Sequence, residues 1–223
     1  VDCTQLVGYG GTCLELGELY PNASFFSFSG HKIYGPTGTG CLIATGRNFK
    51  PFLESGLIVG GAQERGIRGG TTNTAGVVGL CTAVRLMYAY DFHVANIYRT
   101  LFSHLMSLVN NVFEDKCKLN AVPSHFNIIS LNFGKYFKPN EIDSLAASLA
   151  LRGIAVSAGS ACDSHHDETA GDFNPSHVLA ALNLSEHEIR CTIRVSFNIN
   201  TKLACTAKKL MVAWNRKKAL TLL

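Results

Sequence analysis

Three side chains that can bind or react with a ligand lie together in Ser29-Gly30-His31-Lys32, directly after a short aromatic run. An amine that is partly desolvated near other cations loses its proton more readily and can add to a carbonyl carbon. The neighbouring serine and histidine are suitable hydrogen-bond donors for a phosphate. The glycines between Gly35 and Gly40 permit close approach of a ligand. This combination predicts a pyridoxal phosphate site with Lys32 as its reactive amine.

Taken alone, the same pattern also fits a strand that ends in a surface turn with a solvated lysine. The choice depends on whether other reactive groups share the site. Cys162 ends the small-residue segment SAGSAC, and Arg194 lies in the segment TIRVS. Nearby positive charge lowers the pKa of a thiol and so favours the nucleophilic thiolate. A guanidinium can bind a carboxylate through two hydrogen bonds. A buried cysteine and a surface arginine are the plainer interpretations of these two residues.

The elements that would position these residues follow from periodicity and from turn and cap signals. Strands are predicted at 25–29, 40–45, 126–133, 154–158 and 191–197. Helices are predicted at 73–112, from Pro139, after Ser185 and at 201–217. The first helix is either continuous or broken near Asp91, and the glycine-rich residues 56–70 are predicted to form a loop. The alternation of strands and helices after residue 113 predicts an α/β fold with a boundary there.

Composition excludes several classes of protein. With 223 residues, 47% of them hydrophobic and 16% charged, the chain can bury a core. The net charge of +4 is scattered, so no nucleic-acid surface is predicted. No apolar run is long enough to cross a membrane, and no signal peptide is found at the start. Eight cysteines without a C-x-x-C pair predict reduced thiols in an intracellular protein, either cytoplasmic or in a mitochondrion-type organelle.

Five segments match one set of motifs in the same order along the chain. They are DCTQ from Asp2, SGHK from Ser29, GGAQERGIRGGTTN from Gly60, SAGSAC from Ser157 and IRVS from Ile193. Together they resemble the cysteine desulfurases, the class V aminotransferase branch of the fold-type I pyridoxal phosphate enzymes that includes the selenocysteine lyases. The resemblance implies that the chain is the C-terminal portion of such an enzyme. Residues 1–112 would end the cofactor-binding large domain, and residues 113–223 would form a small α/β domain.

The resemblance also implies a cofactor site. The residues that it assigns to pyridoxal phosphate are Asp2, Gln5, Ser29, His31, Lys32 and Thr71. Asp2 would keep the pyridine nitrogen protonated, and Gln5 would lie near the phenolic oxygen. Thr71 would reach the cofactor phosphate of a neighbouring subunit, which implies a homodimer. Because the family's ring-stacking histidine and a phosphate-binding turn lie upstream of these motifs, we expect the chain as given to bind the cofactor weakly or not at all.

The implied reaction converts L-cysteine to L-alanine. Lys32 would move the Cα proton, Arg194 would hold the substrate carboxylate, and Cys162 would attack the substrate sulfur and carry it as a persulfide. A sulfur acceptor or scaffold protein would receive that sulfur for iron–sulfur clusters or thio-cofactors. A selenocysteine lyase would use the same residues, whereas a truncated dimer or scaffold form would use none of them.

The polar segment after Cys162 permits a further interpretation. Cys162, His165, His166 and Asp167 all carry atoms that can ligate a metal. Ligands crowded on one loop, without a spaced partner pair, make a poor tetrahedral zinc site. We therefore predict no metal site in this chain.

Overall fold

The computed structural model describes residues 1–9, 16–45, 54, 56–158 and 176–201. The chain divides into two compact units, residues 1–95 and 96–223. This division falls within a long helix, Thr74–Phe113. The domain boundary near residue 113 stays a prediction.

The first unit is built on a strand pair. Strands β1 (Phe25–Ser29) and β2 (Gly40–Ala44) run antiparallel, with Ser29 opposite Gly40, and a short helix α1 (Leu16–Leu19) precedes them. Residues 1–3 run parallel to β1 on its other side, because Cys3 N–H donates to the Ser27 carbonyl at 2.7 Å. The side chains of Phe26 and Phe28 point into the core, with the residues between and beside them less buried. The pairing of β1 with β2 confirms both predicted strands.

A turn formed by residues 30–39 joins these two strands. It begins with a 3₁₀ helix, Gly30–Ile33, whose end is closed by Tyr34 and Gly35 donating to the Gly30 carbonyl. Gly30 N–H donates in turn to the Thr39 carbonyl at 2.8 Å. A Cβ atom on Gly30 would lie 2.7 Å from Thr39 Oγ1 and 3.0 Å from Leu80 Cδ1. The turn therefore requires glycine at this position because there is no space for a side chain.

We expect the Gly30→Ala substitution to destabilise the protein by about 1–3 kcal/mol, since overpacking a filled site forces neighbouring groups to shift. Chemical denaturation followed by circular dichroism measures this difference. Gly17→Ala is the matched control, because nothing lies within 4 Å of a Cβ atom there. Equal free energies of unfolding for the two variants would contradict this account of the turn.

Helix α2 (Thr74–Phe113) is continuous over 40 residues, so the helix prediction is confirmed and the alternative with a break near Asp91 is wrong. Its buried residues keep the three- and four-residue spacing that predicted it. They are Leu80, Ala83, Met87, Val94, Tyr98, Leu101, Leu105, Val109 and Phe113. Among the described residues, no helix has the length and apolar content needed to cross a bilayer.

The second unit contains a four-stranded antiparallel sheet in the order β3-β4-β6-β5. Its strands are β3 (Lys118–Leu119), β4 (Ile128–Asn132), β5 (Ser157–Ala158) and β6 (Thr192–Ser196). Its helices are α3 (Pro139–Ala150), α4 (His177–Ala181) and α5 (Glu186–Arg190). Strand β5 is shorter than predicted because only its last two residues pair with β6. The predicted helix at 201–217 lies outside the described residues beyond Thr201.

The two faces of this sheet differ in polarity. Ile129, Leu131 and Ile193 share one face and are buried. Helix α3 contacts β5 and β6, and its large apolar side chains are also buried: Ile142, Leu145 and Leu149. On the other face, Asn120 Nδ2 donates to Ser130 Oγ at 2.9 Å and to Thr192 Oγ1 at 3.0 Å. The apolar face forms the core, and the polar face carries Arg194.

Candidate active site

Lys32 lies in the 3₁₀ helix that follows β1. Its side chain is exposed, so the expected partial desolvation of the amine is wrong for this structure. The reason is local, because only Ile33 of this turn points into the core and is 1% exposed. Tyr34, which ends the helix, adopts the left-handed conformation with φ of 65°. The turn thus presents Lys32 to solvent, where its amine is available to a ligand.

Asp2 lies beside the same strand. Its residue partner across the parallel bridge is Ser27, two residues before Ser29. Asp2 Oδ1 accepts hydrogen bonds from the Thr4 hydroxyl at 2.5 Å and from the Thr4 N–H at 2.9 Å. These two bonds, the hydroxyl contributing most, lower the pKa of Asp2 below its ordinary value. The carboxyl group is therefore held as the anion that a protonated ring nitrogen would need.

The charges and donors that a phosphorylated pyridine aldehyde requires lie on two adjoining segments of the first unit. The carboxylate of Asp2 lies next to β1, whose C-terminal end leads directly to Ser29, His31 and Lys32. Gln5 lies on the segment of Asp2 and is exposed, while Cys3 and Val7 anchor that segment in the core. An anion for the ring nitrogen, two donors for a phosphate and one amine for the aldehyde fit pyridoxal phosphate.

Thr71 lies in the glycine-rich segment that precedes α2, and it is exposed. Arg68 Nη1 donates to the carbonyls of Gly70 and Thr71, at 3.1 and 3.3 Å. The segment is not entirely irregular, because it contains a 3₁₀ helix, Gln63–Gly66, and a parallel bridge between Ile58 and Arg68. This order is consistent with a fixed position for Thr71, whose role towards a neighbouring subunit stays a prediction.

Arg194 lies in the middle of the polar sheet face. Its neighbours across β6 are Ser130 on β4 and Ser157 on β5. The Nε atom of Arg194 is buried and has no hydrogen-bond partner in the described part of the chain. Buried donors in native proteins are nearly always paired, so an unpaired one indicates a missing acceptor. A carboxylate is the acceptor that best matches a guanidinium.

Cys162 lies outside the described residues. The structure describes the strand that leads towards it, β5, which ends at Ala158 opposite Ile193. Three residues separate Ala158 from Cys162 in the sequence, so the predicted nucleophile follows closely after the end of β5 along the chain.

Most of the described cysteines lie in surroundings that do not favour a nucleophilic thiolate. All five are free thiols, and Cys3, Cys117 and Cys191 are buried. Burial raises the pKa of Cys117 to about 12, and it also raises the pKa of Cys41. A thiol with a raised pKa is a weak nucleophile at neutral pH. Cys81 is exposed and serves below as a control.

Two groups of residues near the site were not predicted from the sequence. Tyr9 donates from its hydroxyl to the Lys32 carbonyl at 2.7 Å, although 23 residues separate them. Asn120, Ser130 and Thr192 form the hydrogen-bonded network on the face of Arg194. No local pattern marks either group, because each interaction joins elements that are distant in the chain.

Comparison with known proteins agrees with these observations. The sequence model of the aminotransferase class-V family matches residues 21–204. The chain is 36% identical over 201 residues to the cysteine desulfurase IscS of Pseudoalteromonas translucida, covering 88% of this chain and 44% of that protein. It is 35% identical over 200 residues to the cysteine desulfurase IscS of Mannheimia succiniciproducens, with the same coverage. A solved structure of SspA in complex with cysteine matches with a TM-score of 0.58 and 28% identity, covering 88% of this chain and 49% of that one.

The chain therefore belongs to the aminotransferase class-V family, a family of pyridoxal phosphate enzymes. The predicted family and the α/β fold class are both confirmed. The chain spans less than half the length of the curated relatives named above. These matches do not confirm the expectation that it is the C-terminal portion of such an enzyme.

Proposed function

We propose that the full-length protein is a pyridoxal phosphate-dependent cysteine desulfurase that converts L-cysteine to L-alanine and transfers the sulfur to an acceptor. The observation that carries this proposal is the buried, unpaired Nε of Arg194, on the strand that pairs with the start of the Cys162 segment. An amino acid carboxylate satisfies that donor. The similarity to SspA, whose solved structure contains cysteine, supports L-cysteine as the amino acid.

The cofactor-binding residues proposed for this chain have different chemical roles. Asp2 holds the ring nitrogen protonated, since its own hydrogen bonds keep it ionised. Ser29 and His31 donate to the phosphate, and Lys32 attaches the cofactor through its amine. Gln5 borders the ring, and Thr71 serves the phosphate of a second subunit in a homodimer. When bound, pyridoxal phosphate supplies an electron-withdrawing ring that stabilises negative charge on the substrate Cα.

The protein's own residues then perform three tasks. Arg194 orients the substrate by holding its carboxylate. Lys32 moves the proton at Cα as a general base and acid. The Cys162 thiolate attacks the substrate sulfur, forming an S–S bond as the C–S bond breaks and leaving a persulfide on Cys162. The released carbon takes a proton and becomes the methyl group of alanine, so no external oxidant is needed.

A sulfur acceptor or scaffold protein is the proposed partner, because the persulfide must be discharged before the next turnover. The proposed domain organisation keeps residues 1–112 with the cofactor and residues 113–223 with Cys162. We place the activity inside the cell. Between the cytoplasm and an organelle, the bacterial relatives support only the cytoplasm.

Steady-state assays on the full-length protein test the proposal. With L-cysteine, pyridoxal phosphate and a reducing thiol, we expect equal amounts of alanine and sulfide. We expect Arg194→Lys to lower kcat/KM by about 30-fold or more, because lysine cannot reproduce a bidentate fork and leaves a carboxylate poorly paired. Arg190→Lys is the matched control, because Arg190 lies at the exposed end of α5 in an i,i+4 pair with Glu186.

The outcomes separate the alternatives. Alanine formation that is lost in Arg194→Lys and kept in Arg190→Lys supports the desulfurase. Faster turnover of L-selenocysteine than of L-cysteine would instead identify a selenocysteine lyase. No turnover of either amino acid by cofactor-loaded protein would identify a non-catalytic dimer or scaffold.

A further inference from the structure

The 3₁₀ helix that presents Lys32 is short and has few hydrogen bonds of its own. Its four residues, Gly30–Ile33, are closed by Tyr34 and Gly35 donating to one carbonyl, that of Gly30. The last carbonyls of a helix have no partner within that helix. The Lys32 carbonyl belongs to this class, and it accepts a hydrogen bond from the Tyr9 hydroxyl at 2.7 Å. The backbone next to the reactive amine is therefore held from outside the turn.

Tyr9 is itself held firmly. Its side chain is 8% exposed, and the backbone before it forms a turn in which Val7 N–H donates to the Cys3 carbonyl at 3.0 Å. Gly8 has φ of +84°, and a Cβ atom there would lie 2.9 Å from Ile33 Cγ2 and 2.8 Å from Met87 Cε. Gly8 and Tyr9 thus contact two consecutive residues of the Lys32 turn, Ile33 through packing and Lys32 through a hydrogen bond.

The segment that ends at Tyr9 also carries Asp2 and Gln5. This segment is joined to the Lys32 element in two places. Near its start, Cys3 N–H donates to the Ser27 carbonyl at 2.7 Å, and near its end Tyr9 bonds to Lys32. A rigid cofactor held by both Asp2 and Lys32 would need a fixed spacing between these two residues. Only the second connection acts directly on Lys32.

We propose that Tyr9 is a positioning residue, which sets the place of Lys32 relative to Asp2 through its hydrogen bond to the Lys32 carbonyl. This inference rests on the proposed function. Burial raises the pKa of Tyr9 to about 12, so its hydroxyl keeps the proton that it donates at physiological pH. The positioning role belongs to the hydroxyl, because the ring alone would fill the same space but could not donate this hydrogen bond.

Tyr9→Phe is the variant that tests this role, since it keeps the ring and removes the donor. Tyr20→Phe is the matched control, because the Tyr20 ring packs against Phe26 and its side chain is 41% exposed. The first measurement is hydrogen–deuterium exchange of the amides in residues 31–35, without cofactor. We expect exchange about five- to tenfold faster in Tyr9→Phe, the equivalent of one net hydrogen bond, and no change in Tyr20→Phe.

The second measurement is the rate at which pyridoxal phosphate labels Lys32, trapped with borohydride and located by mass spectrometry. Exposed Lys135 in the same sample is the internal reference. We expect the ratio of Lys32 to Lys135 labelling to fall about five- to tenfold in Tyr9→Phe and to stay constant in Tyr20→Phe. Where Tyr9→Phe fails to fold by circular dichroism, Tyr9→Met replaces it, since methionine fills irregular space without a hydroxyl donor.

Both changes together support the positioning role. The positioning role is overturned if amide exchange in residues 31–35 is unchanged in Tyr9→Phe. It is also overturned if exchange is faster but the labelling of Lys32 is unchanged. Failure of the proposed function gives a different result, because Lys32 would then be labelled no faster than Lys135 in the unsubstituted protein. The exchange measurement still decides whether Tyr9 holds the turn in that case.

Discussion

Lys32→Ala is expected to lower the rate of alanine formation from L-cysteine at least about a thousandfold. A positioned general base contributes roughly 10²- to 10⁴-fold, and this residue also anchors the cofactor through its amine. Its exposed position on the 3₁₀ helix that follows β1 makes the amine available for both tasks. Alanine is measured by chromatography in single-turnover and steady-state assays.

Lys135→Ala provides the control for this prediction, because Lys135 is also exposed but lies in the other compact unit. We expect its activity to stay within twofold of the unsubstituted protein. Borohydride reduction followed by peptide mapping gives a second readout, since the covalent cofactor label should move away from residue 32 altogether. A Lys32→Ala variant that retains a tenth of the activity would remove Lys32 from the reaction.

Cys162→Ala is expected to abolish the protein-bound persulfide and to reduce alanine formation at least about a thousandfold, since C–S cleavage loses its nucleophile. The persulfide is detected by alkylation and mass spectrometry after one turnover with L-cysteine. Labelling of Lys32 by pyridoxal phosphate should stay unchanged in this variant, which separates loss of the nucleophile from loss of the cofactor site.

Cys81→Ala is the matched control, because Cys81 is an exposed free thiol on α2. Both the persulfide and alanine formation should be unaffected by this change. A persulfide that persists in Cys162→Ala and disappears in another cysteine variant would assign the sulfur to a different thiol. In that case the SAGSAC segment would lose its proposed role.

Several elements were predictable because their signals are local. Phe26 and Phe28 alternate with serines, so β1 follows from the period of two that a half-buried strand requires. Helix α2 follows from the apolar spacing that a buried helix face requires, and the Ser185 and Glu188 pair marks the start of α5 through reciprocal capping bonds. The extent of β5 was overestimated, because strand length depends on the partner strand and not on the residues alone.

The chemical types of the site residues were readable from the sequence, whereas their surroundings were not. Asp2, Lys32 and Arg194 stand in short segments whose residue types resemble known motifs. Their states became visible only in the folded structure: the exposure of Lys32, the Thr4 hydrogen bonds that keep Asp2 ionised, and the unpaired Nε of Arg194.

The sequence by itself thus determined the family and the main strands and helices, and it supplied the proposed reactive groups, because these depend on residue type and short-range spacing. Only the tertiary structure decided that Tyr9 bonds to Lys32, that Asp2 lies beside β1, and that Arg194 shares a sheet face with Ser130 and Ser157. The physical reason is that hydrogen bonds and burial form between segments brought together by packing. Sequence separation places no limit on which segments those are.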